Sequence, residues 1–169
     1  YTVVDTVSGF LSTAAKQRPL RVIVTGVGVV PVGDWIARFC FENAKQPLTL
    51  FVDECQELCP SGTARHDPSN PFLTIARMGR SRGLSLVVAS QRITAVDVNL
   101  RGNMNDLFLF RQGDFSDAQT VKRMIGVDLF NLPPREFYLK TDGGGVTHFR
   151  RAQDYLKKAV KNGRKWGQE

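Results

Sequence analysis

Short apolar runs of strand character alternate with apolar stripes at helical spacing along this chain. Residues 1–5 are mostly apolar up to Asp5, and residues 7–17 place Phe10, Leu11, Ala14 and Ala15 along one helical face. A β-branched run over residues 21–25, closed by Gly26 and Gly28, predicts a second strand. After Pro31 and Gly33, residues 34–44 predict a helix with Trp35, Ile36, Phe39 and Cys40 on its apolar side. The almost continuous apolar run Leu48-Thr-Leu-Phe-Val52 then ends in Asp53-Glu54, the pattern of a central strand covered on both faces in a parallel sheet. Residues 56–70, with Pro60, Gly62, Pro68 and Asn70, read as a surface loop, and Pro71 opens a helix that runs to about Arg82 and stops at Gly83.

Residues 84–90 are a second buried-type strand, ending in Gln91-Arg92, and residues 106–110 a third, ending in Arg111-Gln112. Ser116 is placed to cap a helix over 117–125 closed by Gly126. The runs 137–139 and 146–149 flank Asp142-Gly-Gly-Gly145 as a hairpin, and the remaining tail reads as helical to about Val160. This alternation predicts an α/β fold with an open, mostly parallel sheet flanked by helices, followed by a C-terminal hairpin and helix. Ligands of such sheets sit at the carboxyl ends of the strands. Asp5, Asp53-Glu54, Gln91 and Arg111 would gather at one edge if their strands are parallel neighbours. The expected division is a core over residues 1–150 and a basic helix or tail over 151–169.

Composition narrows the class. At 169 residues with ordinary apolar content, the chain has room for one well-filled core. No apolar run approaches the roughly 20 residues that cross a bilayer, so a soluble protein is expected. Three cysteines, Cys40, Cys55 and Cys59, are an odd number in a chain that needs no staples, which favours buried thiols in a reducing compartment. Cys55 and Cys59 with His66 fall short of the two tight ligand pairs that a structural zinc site prefers. The net charge of +7 is concentrated late, in Arg150, Arg151, Lys157, Lys158, Lys161, Arg164 and Lys165, with Asp154 opposing. Such a cluster suits phosphate backbones, and it also suits a solvated helix face.

The sharpest chemical feature is the pair Asp53-Glu54 at a strand end. One carboxylate there can hold a hydrated Mg²⁺ on a nucleotide while its neighbour polarises the water that attacks the γ-phosphate; a buried strand meeting an acidic turn has the same pattern. The next helix and strand carry Arg77, Arg80 and Arg82, then Gly83 and an apolar strand closing on Ser90-Gln91-Arg92. Together these parts, continuing through Asn103–Arg111 and Asp114–Ala118, resemble the FtsK/HerA superfamily of P-loop ATPases over roughly residues 48 to 140. That superfamily includes double-stranded DNA translocases, conjugative pumps and viral genome-packaging ATPases.

The resemblance implies a RecA-like ATPase core that uses ATP and Mg²⁺. It assigns Mg²⁺, through water, to Asp53, activation of the attacking water to Glu54 and sensing of the γ-phosphate to Gln91. It offers Arg80, or else Arg77, Arg82 or Arg111, as an arginine finger for a neighbouring subunit. The implied activity is ATP-driven translocation of double-stranded DNA by a homo-oligomeric ring, pentamer or hexamer, in viral genome packaging, in the host-cell cytoplasm or the virion and with a portal or capsid protein as partner. Lys157, Lys158 and Lys161 are the candidate DNA contacts.

The chain departs from the pattern in one respect: it contains no Gly-x-x-x-x-Gly-Lys followed by Ser or Thr. Gly26, Gly28 and Gly33 do not match that spacing and read as loop glycines. A phosphate loop upstream of Tyr1 is the expectation. A subunit without the loop would instead be a non-hydrolysing DNA-binding or ring-scaffold module, and a pump of conjugation or chromosome segregation is a further alternative. A recombinase-like motor on single strands would need aromatic platforms; Phe115 and Phe130 are candidates, with core packing as their expected role.

Overall fold

The computed structural model describes residues 2–4, 6–16, 22–24, 29–44, 47–62 and 69–161. Asp5, Gly26, Gly28 and His66 lie outside the described residues. The chain divides into two compact units, Tyr1–Gln91 with Ala95–Asn103, and Arg92–Thr94 with Met104–Glu169. Elements of both types alternate, as the apolar pattern predicts, and the fold is α/β.

In the first unit, β1 (Thr2–Val4) pairs in parallel with β2 (Val22–Val24), and β3 (Leu48–Val52) pairs in parallel with β4 (Leu84–Val88), Leu48 opposite Leu84. Helices α1 (Val7–Lys16), α2 (Val29–Asn43) and α3 (Pro71–Met78) supply the rest of a core built on Phe10, Ile36, Cys40, Phe72, Ile75 and Leu84. Trp35 stacks on Phe39 at 5.1 Å between ring centroids, and Phe10 meets both edge-on. Helix α2 starts five residues before the expected Asp34. Pro31 is tolerated because it falls in the first turn, where its missing N–H has no intrahelical partner to lose. Gly33 is therefore not a loop glycine: a Cβ there would lie 3.2 Å from Leu58 Cδ2, so its smallness lets helix and loop approach.

Helix α3 begins as its sequence dictates. The Asn70 side chain accepts from the N–H groups of Phe72 and Leu73, and Pro71 follows it. After a tight turn over Gly79–Arg82, Gly83 takes a left-handed φ of 71°, which reverses the chain into β4. A short helix, α4 (Val98–Gly102), ends the unit, with the buried Asp97 side chain accepting from the N–H groups of Asn99 and Leu100. One face of the β3–β4 pair differs from expectation. Phe51 is 78 % exposed and its ladder partner Val87 is 47 % exposed, so this pair is not covered on both faces.

In the second unit, β5 (Asp106–Leu109), β6 (Phe137–Thr141) and β7 (Val146–Phe149) form an antiparallel sheet in that order. The hairpin at 142–145 is present, closed by Thr141 N–H to Gly145 O at 3.0 Å. Arg111 follows β5, which pairs antiparallel with β6, so it belongs to the antiparallel sheet of this unit. Helix α5 (Phe115–Ile125) is capped by Asp114, two residues before the expected Ser116: a carboxylate at that position reaches the N–H groups of Ser116 and Asp117 together. Leu109, Val121, Leu129 and Leu132 close the core beneath it. Helix α6 (Ala152–Lys161) seats Tyr155 and Ala159 against Phe137, Leu139 and Phe149, so the start of the basic tail is part of this unit's core. Phe115 and Phe130, expected inside, are 70 % and 40 % exposed.

The three cysteines are free and buried. Burial pushes the Cys40 and Cys55 thiols up to about 11 and Cys59 to about 12, the carboxylate of Asp97 adding to the last. All three are therefore protonated at pH 8 and shielded. Iodoacetamide followed by mass spectrometry should leave the native protein unmodified and label every thiol once denaturant unfolds it.

Candidate functional site

The first unit builds its site where β3 and β4 end side by side. The parallel ladder continues one step past both strands: Ala89 N–H donates to Val52 O at 2.8 Å, and Cys55 N–H donates to Ala89 O at 2.9 Å. Residues 52 and 55 are thus both tied to Ala89, and the two residues between them are pushed out of the ladder as a bulge. Those two are Asp53 and Glu54. Glu54 bends there into a left-handed conformation, φ 48° and ψ 50°, which costs a non-glycine residue on the order of 1–3 kcal/mol and persists only where its surroundings enforce it.

The enforcing contacts are visible. Gln91 Nε2 donates to Glu54 Oε1, and Gln56 Nε2 donates to Glu54 Oε2 at 2.7 Å. Ser90 Oγ in turn donates to Gln56 Oε1 at 2.6 Å. The amides of Gln56 and Gln91 hold the Glu54 carboxyl below the usual glutamate range, because they stabilise its charged form. Asp53 turns one oxygen back to the Glu54 N–H at 3.0 Å; its other oxygen has no protein partner among the described residues. An exposed carboxylate oxygen of this kind fits a water on a hydrated Mg²⁺.

Three residues singled out in the sequence therefore meet: Asp53, Glu54 and Gln91. Arg77, Arg80 and Arg82, in the same unit, make no described contact with them. Arg80 and Arg82 lie in the turn that precedes β4, at the amino end of the strand whose carboxyl end carries Gln91. A five-residue strand separates the two edges by about 16 Å. Arg77, in the last turn of α3, and Arg80 are exposed. Arg82 is engaged within its own chain: its guanidinium donates to Phe41 O at 3.0 Å and lies 4.4 Å over the Phe41 ring, covering the carboxyl end of α2. Arg111 follows β5 in the second unit and is exposed. Lys157, Lys158 and Lys161 are exposed on α6, turned outward by the burial of Tyr155 and Ala159, with Lys158 Nζ 5.6 Å from the Phe149 ring centroid.

Gln56 and Ser90 are members of the site that the sequence does not single out. The available signal is a pair of short polar residues flanking the acid and the strand-end glutamine. Neither helical nor strand periodicity picks out such residues.

A parallel α/β edge that presents adjacent carboxylates against a glutamine on the neighbouring strand belongs to the P-loop NTPase class of folds. Within that class the chain is structurally similar to the genome packaging NTPase B204 from Sulfolobus turreted icosahedral virus 2. With the sulfate complex the TM-score is 0.71 at 11 % identity, covering 89 % of this chain and 80 % of that one. With the ATP-gammaS complex it is 0.67 at 12 % identity, covering 89 % and 73 %. The cytoplasmic domain of the Thermomonospora curvata Type VII secretion ATPase EccC is also similar, with a TM-score of 0.48 and 28 % identity over 69 % of this chain and 14 % of that one. The chain shares the fold of the packaging NTPase B204, a P-loop NTPase fold as the sequence resemblance implied. No protein-family model and no curated protein matches the sequence. Among the described residues, no helix is long and apolar enough to cross a membrane.

Proposed function

We propose that this chain is the hydrolytic core of an ATP-driven motor that translocates double-stranded DNA, of the viral genome-packaging kind. The observation that carries the reading is the Glu54 carboxylate, half-buried at the carboxyl edge of a parallel strand pair, held below the usual glutamate range, and clasped from the neighbouring strand by Gln91. The likeness to B204, whose complexes include ATP-gammaS, AMPPCP and AMP, supports nucleotide as the ligand.

In this reading Glu54 orients the attacking water and takes its proton, and Gln91 places its amide toward the γ-phosphate from β4. Asp53 would hold Mg²⁺ through water; bound there, the ion neutralises charge on the phosphate oxygens. The sequence contains no Gly-x-x-x-x-Gly-Lys motif, and in this reading a segment outside residues 1–169 supplies the phosphate cradle. Arg80 faces away from its own chain's site by the length of a strand, which suits a finger that serves the next subunit of a pentameric or hexameric ring. Arg77 and Arg111 are the exposed alternatives, and the engagement of Arg82 with Phe41 sets it lowest. DNA would be held through its phosphates by Lys157, Lys158 and Lys161. A portal or capsid protein is the proposed partner and the host cytoplasm or virion the proposed setting.

The test is ATP hydrolysis by the full gene product with and without double-stranded DNA. A rate that rises with duplex supports the motor. Absence of hydrolysis with nucleotide, Mg²⁺ and DNA present overturns it in favour of a non-hydrolysing ring or DNA-binding module. Replacing Lys157, Lys158 and Lys161 together by Ala should weaken duplex binding and reduce the slope of log affinity against log salt by roughly 2.7, at about 0.9 for each phosphate that is no longer neutralised. An unchanged slope moves the DNA-binding surface off α6.

A further inference from the structure

The clasp around Glu54 extends beyond the residues that hydrolysis requires. Gln56 sits in the turn Cys55–Glu57, and its donation to Glu54 Oε2 fixes which way its own amide faces. A carboxylate only accepts hydrogen bonds, so the nitrogen of Gln56 has to point at Glu54 and its oxygen is turned to the β4 side, where the Ser90 hydroxyl meets it at 2.6 Å. Gln91, next to Ser90, binds the other oxygen of Glu54. Two consecutive residues after β4 therefore grip one carboxylate, Gln91 directly and Ser90 through Gln56. The Gln91 backbone N–H donates to the same carboxylate, so both side-chain amides and a backbone donor hold it.

We propose that Gln56, oriented by Ser90, is a positioning residue for Glu54: it sets the direction of the carboxylate without touching nucleotide. The proposal rests on the hydrolytic role given to Glu54 above, and its consequences separate from that role. A carboxylate on two methylenes at a half-buried, left-handed backbone position samples several rotamers unless both oxygens are tied. Gln91 holds the carboxylate from the β4 side, through its amide and its backbone N–H. Gln56 ties the other oxygen from the opposite side; the carboxylate, which only accepts, excludes the flipped Gln56 amide, and the Ser90 hydroxyl anchors the amide oxygen in the orientation that results.

The clasp can be read without any reaction, from the side-chain amide resonances of Gln56 and Gln91 in ¹H–¹⁵N spectra of the nucleotide-free protein. Glu54→Ala is expected to move both toward the position of a solvated carboxamide, and Ser90→Ala to move that of Gln56. A Gln56 resonance that stays in place in Glu54→Ala overturns the proposal whatever the protein catalyses. In hydrolysis by the full gene product, Gln56→Ala is expected to lower kcat roughly 10- to 100-fold, the scale of a small misplacement of a catalytic group, with KM for ATP unchanged. Gln56→Glu, of the same shape but repelling Glu54, should lose at least as much. Ser90→Ala should lose less, and Ser90→Thr should restore it. In a Glu54→Gln background, Gln56→Ala should cost nothing further, because Gln56 acts only through Glu54. A wild-type kcat in Gln56→Ala beside a collapsed Glu54→Gln refutes the positioning role and leaves the hydrolytic reading standing. A Glu54→Gln protein with wild-type kcat refutes the hydrolytic reading, and the spectra still decide the clasp.

Discussion

Glu54→Gln is expected to lower kcat for ATP hydrolysis by about 10²- to 10⁴-fold, the contribution of a positioned general base, with little change in nucleotide affinity. Two effects act together. The amide cannot accept a proton from water, and its NH₂ replaces an acceptor oxygen that now faces an N–H donor. Glu54 takes at least one such donor on each oxygen, from Gln56 and from Gln91, so whichever oxygen becomes nitrogen sets two donors against each other. Glu54→Asp keeps the charge and withdraws it by one methylene from both amides; an intermediate loss of about 10²-fold is expected. The same contacts fix the sign of the pH dependence. The folded-state carboxyl is held below its ordinary range, so activity that needs the carboxylate persists to lower pH than a free glutamate allows and is lost as pH falls through the depressed value. A pH–rate profile of kcat, steady-state kinetics on the two variants and equilibrium nucleotide binding check these outcomes together. Comparable turnover in Glu54→Gln and wild type removes Glu54 from the chemistry.

The largest effect on stability is expected at Asp117. This carboxylate is 1 % exposed, and one of its oxygens accepts from Thr94 N–H at 2.8 Å and from Thr94 Oγ1 at 2.6 Å. The other accepts from Arg92 Nε at 3.3 Å. These bonds fasten residues 92–94 to α5 within the second unit. Asp117→Ala removes all three hydrogen bonds and leaves the Thr94 N–H without its partner. A loss of about 3 kcal/mol in unfolding free energy follows from the desolvation cost of donors left unpaired. Asp117→Asn keeps an oxygen for Thr94 and presents an amide to Arg92, so it should cost only about 1 kcal/mol, the value of one half-exposed bond. Denaturant unfolding of the two variants distinguishes them. Equal losses would mean that the charge, and not the acceptor geometry at Thr94, does the fastening.

Much of the fold is legible because its signals are local. The Leu48–Val52 run, the Pro71 start, the Gly83 reversal and the Gly126 stop each depend on a few neighbouring residues, and each stands in the structure within a residue or two of its expected place. Helix α2 is longer than its sequence suggests because Pro31 and Gly33 look like breakers and do not act as such. A first-turn proline loses nothing, and Gly33 is small because Leu58, 25 positions along the chain, presses on it. The cap of α5 falls on Asp114 and not on Ser116 because both residue types cap well, and only backbone geometry chooses between them.

The site shows the same division. By itself the sequence determined that two carboxylates end an apolar strand, that a glutamine ends another, and that basic residues collect at the carboxyl end. It also determined that no Gly-x-x-x-x-Gly-Lys stretch lies within these residues. What only tertiary structure decided is which of these groups meet. The parallel register of β3 and β4 put Gln91 against Glu54, and the shared hydrogen bonds of Ala89 pushed Asp53 and Glu54 out of the ladder. Gln56 and Ser90 became the remaining half of the clasp, while Arg80 and Arg82 were left a strand's length away. Strand and helix signals are written in periodicities of two and 3.6 residues, whereas contacts between Glu54 and Gln91, 37 residues apart, depend on register and backbone hand, which no short-range period encodes.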